Sequence, residues 1–414
     1  MNKLAIDGGE SVRTKPFPSG KRVGQEELAQ LEQVIASGNL FHGAKVQQFR
    51  QEFAEMFGVK YAVTSTSGTA AIHVGVAMIN PSPGDEIITS SITDIGTIIP
   101  IIYQNAIPIF ADVQPDTWNM DAKDLERKIT PKTKAILVIH LFGNACDMDA
   151  ILEVAKRHNL PVLEDCAQAH LSEYKGKLVG TLGDIGCFSF QQSKHMLTGD
   201  GGMTITNTEE YGARGTFFVD KGLNRGWTGA QRYPMLGMNY RMTELQAAVG
   251  IAQLQKLKSV TTARNRVGDL LSELIADVPG ITPQRAINGG VHTYWKYGLT
   301  TAPSLPFTAS QFAQALSKEG IPAAAHYIGK PIFLCQEALV RQQIFGNSHH
   351  PFDHPDTREG ISYEHGQCPV TEDILNQMVT VGVNQFLGES DVRDIAKAIR
   401  KVALYLPNRI SPQR

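Results

Sequence analysis

The sequence predicts an α/β fold in which a mainly parallel sheet carries helices on both faces, followed by a smaller α+β unit. Seven short runs rich in β-branched or apolar residues recur between residues 61 and 207. Several are separated by amphipathic helical stretches, the pattern of parallel strands joined by helical crossovers. The chain has 414 residues, 42% of them hydrophobic, enough for a large core and longer than one core usually organises, so two domains are expected.

The first helix is expected in "QEELAQLEQVIASG", where Leu28, Leu31, Val34 and Ile35 fall on one face and Gly38 stops the run. "VQQFRQEFAEMFG" repeats the device with Val46, Phe49 and Phe53 before Gly58. The strands follow as "YAVTS", "EIITS", "PIFAD", "AILVIHL", "PVLED", "CFSF" and "MTITN", a seven-stranded sheet, with "DMDAILEVAKRHN" among the intervening helices. A long helical region over about residues 240 to 275 bridges a large domain with an N-terminal arm (1–260) and a small one (261–414). In the latter "TYWKYGLT" reads as a strand, and "TASQFAQALSKEGI" and "ESDVRDIAKAIRKVALYL" as helices. No internal repeat or low-complexity tract interrupts this plan.

A formal net charge of -2, from 39 basic and 41 acidic residues, offers no electrostatic case for nucleic acid or an anionic membrane. The opening residues lack a signal-peptide core, and the apolar stretch "IGTIIPIIYQNAIPIF" is broken by Pro100, Gln104, Asn105 and Pro108, so no membrane span is expected. Five cysteines with no C-x-x-C pair suit a reducing cytoplasm.

In open α/β sheets chemistry collects at the carboxyl ends of the strands. Four motifs fall there. After "YAVTS", Ser67, Gly68 and Thr69 open a helix whose free N–H groups suit a phosphate, although Ser67 could simply cap that helix. After "PVLE", Asp165 and Gln168 sit on the lip of the sheet, where an aspartate is also a common turn residue. After "CFSF" comes "QQSKHMLTGDGG", with Ser189 five positions before Lys194 and glycines that allow close backbone approach. "GMNYRMTELQAA" sets Asn239 and Arg241 just before the long helix. Phosphate donors, a carboxylate, an amide and a lysine together describe a pyridoxal phosphate site: the aldehyde needs a lysine, the ring nitrogen a carboxylate, the phosphate oriented donors.

The chain resembles the sugar aminotransferases of DegT and StrS type from about residue 10 to residue 405. The resemblance rests on "TSGTAAI", "PGDEIITS", "IPIFADV", "VIHLFGN", "LEDCAQAH", "GDIGCFSFQQSKHMLTGDGG", "NYRMTELQAA" and "HGQCPVTE". It implies fold type I, pyridoxal 5'-phosphate as cofactor and a homodimer with shared active sites. Lys194 would be the Schiff base lysine, Asp165 the partner of the pyridinium nitrogen, and Gln168 the contact to the ring hydroxyl. Gly68, Thr69 and Ser189 would hold the phosphate, with Asn239 reaching in from the other subunit. The implied reaction moves an amino group from glutamine or glutamate to the keto group of a sugar or cyclitol, and the opening "LAIDGGESVRTKPFPSG" looks more like the cyclitol and antibiotic aminosugar branch than the nucleotide-sugar branch. Relatives with histidine in place of the lysine act as dehydratases. Here the lysine is present, followed by His195.

Arg241 is the expected partner of a donor carboxylate, with a structural ion pair as the alternative. His326 and Tyr327 lie where relatives shape the acceptor pocket, and a packed structural pair fits them equally. Asp94 stands where relatives usually carry an aromatic ring stacked on the cofactor. It either binds a hydroxyl of a polyhydroxylated acceptor or caps the following turn. The cluster His349, His350, Asp353, His354 and Asp356 matches none of the usual zinc spacings, so no metal is expected. A non-catalytic homologue and a different reaction of the same cofactor are the remaining rivals.

Overall fold

The computed structural model describes residues 3–410 apart from 227, 230 and 231. Two helices come first, α1 (Gln25–Ser37) and α2 (Ala44–Phe57). Strand and helix then alternate through β1 (Tyr61–Ser65), α3 (Gly68–Ile79), β2 (Glu86–Ser90), α4 (Ile95–Tyr103), β3 (Ile107–Ala111), α5 (Ala122–Lys128), β4 (Thr133–Ile139), α6 (Met148–His158) and β5 (Val162–Asp165). The short pair β6 (Glu173–Tyr174) and β7 (Lys177–Leu178) precedes β8 (Ile185–Ser189), β9 (Gly202–Thr206) and α7 (Glu209–Phe218).

These elements build one seven-stranded sheet in the order β1-β9-β8-β5-β4-β2-β3. β9 runs antiparallel to both its neighbours, and the other adjacent strands are parallel. The expected seven strands are therefore all present, and "IGTIIPIIYQNAIPIF" resolves into α4 and β3. Among the described residues no helix is long and apolar enough to cross a membrane.

Each face of the sheet is sealed by a different set of residues. On one face Phe49, Phe53 and Phe57 of α2 pack with Phe188 and Phe190, with Phe53 and Phe57 stacked 4.6 Å apart. On the other, α3 is buried along almost its whole length beside Ile87, Leu137, Leu163 and Ile185. A helix apolar all round is stable only when covered on every side, and here α4, α7 and the sheet supply that cover. α1 differs from expectation: Leu28 and Ile35 are exposed, and the buried positions are Glu27 and Val34. The reason lies in α8 (Glu244–Ile275), which meets α1 with a polar stretch, Gln253 Nε2 and Lys256 Nζ donating to Glu27 at 2.7 and 2.8 Å.

α8 joins two cores. Ala247, Ile251, Leu254 and Leu257 belong to the core of the large sheet, and Val267, Leu271 and Ile275 to a second one. The second core forms around an antiparallel sheet, β10-β12-β14-β13, made of β10 (Ile281–Pro283), β12 (Tyr297–Thr301), β13 (Ala323–Ala325) and β14 (Met378–Val381). β11 (Gly290–Val291) instead joins β6 and β7. α9 (Ala309–Lys318) and α13 (Glu389–Ile410) cover the small sheet, and α10 (Ile332–Cys335), α11 (Glu337–Val340) and α12 (Pro369–Gln377) lie between its last strands in sequence. Leu4 packs in the same core, so the N-terminal arm leans on the C-terminal unit. β12 starts only at Tyr297. Tyr294 takes a left-handed φ of 46°, and the "TYW" stretch leaves the ladder to bond the stretch after β4, Thr293 N and Trp295 N donating to the carbonyls of Gly143 and Phe142.

Candidate active site

The carboxyl ends of β1, β5 and β8 converge with the start of β9. Gly202 is paired with both Ser65 and Ser189, and Asp165 with Cys187. Two glycines make this approach possible. A Cβ on Gly68 would lie 2.5 Å from Ser189 Cβ, and one on Gly202 would run into the Ser67 carbonyl. The N-terminus of α3 is thereby pressed against the Ser189 side chain. Ser67 caps α3, its Oγ accepting from Ala70 N at 3.1 Å. Its cap role is thus realised, and the earlier N–H groups of the helix remain oriented toward the opening.

Beside this helix end lies a cavity of ≈ 390 Å³ bordered by Ser67, Gly68, Thr69, Ser189, Asp165 and Lys194. Asp165 is buried, Thr97 Oγ1 donating to its Oδ2 at 2.8 Å and Ala167 N to its Oδ1 at 3.0 Å. Burial pushes its carboxyl pKa up, against the pull of those donors and of Lys194. Thr97 is held in turn by the Thr93 hydroxyl at 2.7 Å. Gln168 is oriented by Phe142 N, which donates to its Oε1 at 2.9 Å, while its Nε2 donates to the Tyr327 hydroxyl at 3.4 Å.

Lys194 sits at the opposite wall with its Nζ 3.9 Å from the centre of the Trp295 ring. Burial lowers its pKa to about 8, although Asp165 and Asp94 pull the other way. A lysine that is partly neutral near physiological pH is a nucleophile and a base, which a solvated one is not. Its loop is fastened from below by Arg22, whose guanidinium donates to the carbonyls of Gln192 (2.7 Å), Lys194 and His195 (3.0 Å). His195 turns into the interior and donates from Nε2 to the Thr293 carbonyl at 2.9 Å, so it lies outside the cavity.

This arrangement can hold a phosphorylated aldehyde between a helix N-terminus, a buried carboxylate and an amine. Comparison with known proteins gives the same direction. Residues 21–400 match the DegT/DnrJ/EryC1/StrS aminotransferase family. The chain belongs to this family of aminotransferases. It is 39% identical, over 68% of each chain, to a putative L-glutamine:3-amino-2,3-dideoxy-scyllo-inosose aminotransferase of Micromonospora echinospora. It is 38% identical to the GDP-perosamine synthase of Caulobacter vibrioides, over 70% of this chain and 76% of the relative. The crystal structure of an aminotransferase from Psychrobacter cryohalolentis superposes with a TM-score of 0.81 at 29% identity, covering 94% of this chain and 98% of that one.

Not every expected residue of the aminotransferase meets at this cavity. Asp94 borders it and also caps α4, its Oδ1 accepting from Gly96 N at 2.8 Å, so the turn-capping alternative is realised. Tyr327 is near through Gln168, but His326 is not. His326 Nδ1 donates to the Leu375 carbonyl at 3.0 Å and its Nε2 accepts from Ser310, a packed structural residue. Arg241 is ion-paired with Asp220, lies 5.1 Å from the Phe41 ring and lines a separate cavity with His42 and Arg50, not the one at the Lys194 of its own chain. A guanidinium so far removed from water needs a counter-charge, and Asp220 supplies it. Asn239 is exposed and bridges to Asp220 on the same outlying segment.

Other residues lining the cavity escaped the sequence reading. Thr97 and Thr93 contact Asp165 directly and in relay, one helical turn apart, where a threonine reads as ordinary helix-start chemistry. Trp295 faces Lys194 although "TYWKYGLT" reads as strand; the run of large residues without alternation was the available signal. The His-rich loop holds no cluster of metal-ligand geometry among the described residues. The group that comes nearest is His140, Glu164 and Cys166, all buried. It is a saturated strut: Glu164 accepts from Gly180, Leu182 and Gly183 N at 2.6–2.8 Å and from His140 Nε2 at 3.0 Å, and Cys146 N donates to His140 Nδ1.

Proposed function

We propose that this aminotransferase uses pyridoxal 5'-phosphate to move an amino group from glutamine or glutamate to the keto group of a cyclitol or sugar. The observation that carries the proposal is a buried amine of lowered pKa and a buried carboxylate lining one cavity with a helix N-terminus. The donor set suits the cofactor: the N–H groups at Gly68 and Thr69 and the Ser189 hydroxyl for phosphate, Gln168 for the ring hydroxyl, Asp165 for the ring nitrogen, Lys194 for the aldehyde. When bound, the cofactor supplies an aldehyde and a protonated ring able to take up electrons from a breaking Cα–H bond.

The residues of the chain do the rest. Asp165, screened from water and held by Thr97 and Ala167 N, keeps the proton on the ring nitrogen. Lys194 Nζ takes the proton from the donor Cα and later delivers one to the acceptor carbon, as base and then acid. Arg22 keeps the lysine loop in place through its three carbonyls. Retention of Lys194 speaks against a dehydratase.

The acceptor is placed with the cyclitols, in line with the scyllo-inosose relative at 39% identity. A nucleotide-linked ketosugar is the second reading, favoured by the GDP-perosamine synthase at 38%. A homodimer with Asn239 reaching the partner's cofactor phosphate fits the surface of its segment, where Leu236 is 93% exposed and Tyr233 and Met238 stand out as well. The proposed site of action is the cytoplasm, in keeping with five free cysteines.

Borohydride reduction of the loaded protein followed by peptide mass mapping should place the cofactor on Lys194, and incubation with glutamine before the reduction should prevent that labelling. Ketocyclitols, and not nucleotide ketosugars, should then restore the original absorption. A cofactor adduct on a different lysine would sink the assignment.

A further inference from the structure

An amino-acid donor brings a carboxylate on the carbon that carries its amine. That amine must come to the place where Lys194 Nζ acts, so the carboxylate arrives beside Lys194 and needs a cation there. The cations around the site are mostly committed. Arg22 is spent on the carbonyls of Gln192, Lys194 and His195. Arg264, buried, donates to the carbonyls of Tyr294 (3.0 Å), Trp295 (3.3 Å) and Val383 (3.3 Å) and to Gln385 Oε1 (3.2 Å). Arg241 is paired with Asp220.

Lys296 is different. It is half-buried, and among the described residues it makes no ion pair or hydrogen bond through Nζ. Its ammonium instead stands 5.1 Å from the centre of the Trp295 ring and 5.5 Å from that of Tyr327. Trp295 is the ring that Lys194 Nζ touches at 3.9 Å, and Tyr327 is the hydroxyl that Gln168 reaches. Lys296 therefore shares its aromatic support with the catalytic lysine and with a residue bordering the cavity. The support is itself fixed: Trp295 Nε1 donates to the Ser193 carbonyl at 2.9 Å and Trp295 N to the Phe142 carbonyl at 2.7 Å. Aromatic faces at these distances hold a cation weakly, leaving its three donors free for an anion.

We propose that Lys296, standing on Trp295 and Tyr327 beside Lys194, receives the α-carboxylate of the amino-acid donor. This rests on the aminotransferase reading and takes the role that Arg241 cannot fill in its own chain. Partial burial lowers the Lys296 pKa, which is the state of a cation awaiting a counter-ion. The positive charge it keeps also helps hold Lys194 low. A bound carboxylate would offset that influence.

The test uses the cofactor-loaded protein and two readouts. Calorimetric titration with 2-methylglutamine, which has the carboxylate but no Cα–H bond to break, reports binding without turnover. Steady-state assays give KM for glutamine and for the acceptor separately. Lys296→Met should weaken 2-methylglutamine binding and raise the glutamine KM by about 10- to 100-fold, as expected for one charged hydrogen-bonded contact. Lys296→Arg should recover most of it. A change of less than about threefold in a variant whose wild type turns over would overturn the role of Lys296 alone. A rise in the acceptor KM with the donor unmoved would overturn it too, assigning Lys296 to an anionic acceptor. Wild-type protein that exchanges no amine with glutamine would remove the aminotransferase reading, and this proposal with it.

Discussion

Lys194 derives its chemistry from where its side chain is put. Burial brings its pKa from the ordinary 10.5 to about 8, a shift that Asp165 and Asp94 reduce without cancelling. The direction fixes a pH dependence. A lysine is neutral above its pKa, so in the cofactor-free protein the free amine at Lys194 should grow tenfold per pH unit below about 8 and level off above it. Competitive labelling with acetic anhydride, read by peptide mass across pH 6 to 10, should show that plateau for Lys194 while exposed lysines keep rising. A Lys194 profile parallel to the exposed ones would show that the cavity leaves the amine unperturbed. Asp165 illustrates the same dependence on place: at a strand end it reads as a turn residue, and only Thr97, Ala167 N and burial suit it to the proposed role beside a ring nitrogen.

At the scale of elements, the proposed phosphate end of the site is a contact between α3 and the ends of β8 and β9. Its tolerance is small because the Ser189 side chain and the Ser67 carbonyl already occupy the space that a Cβ on Gly68 or Gly202 would need. Gly68→Ala would bring a methyl to 2.5 Å from Ser189 Cβ and 2.7 Å from its Oγ, so either α3 moves away or Ser189 does. Overpacking of this kind costs about 1–3 kcal/mol. The expected outcome is a stability loss of that order by chemical denaturation together with weaker cofactor retention. Unchanged stability with unchanged retention would mean that α3 and β8 can part without consequence for the site. Asp94 belongs to this scale as well, since its Oδ1 ties the start of α4, and with it Thr97, to the rim of the cavity.

At the scale of the whole molecule, α8 joins the core of the large sheet to that of the small one, with Lys194 in the loop after β8 and Trp295 and Lys296 arriving from the segment that leads into the small sheet. Asn239 and Arg241 sit on a separate surface segment, which is where the proposed dimer enters. Mixing Lys194→Ala with Asn239→Ala subunits, each inactive alone, should restore part of the activity in the mixed dimers. No restoration after demonstrated subunit exchange would argue for self-contained sites. The alternation of strands and helices, the strand ends where Asp165, Ser189 and Lys194 fall, and the helix opened by Ser67 were legible in the sequence, because local periodicity and turn chemistry set them. The buried face of α1 was not: a polar patch on α8, more than 200 residues away, decides that Glu27 is covered and Leu28 is not. Nor were Trp295 and Lys296 as neighbours of Lys194, or Arg241 as the partner of Asp220. Those contacts join residues distant in sequence, and a sequence pattern carries no record of which distant side chains the packing of the sheets and helices brings face to face.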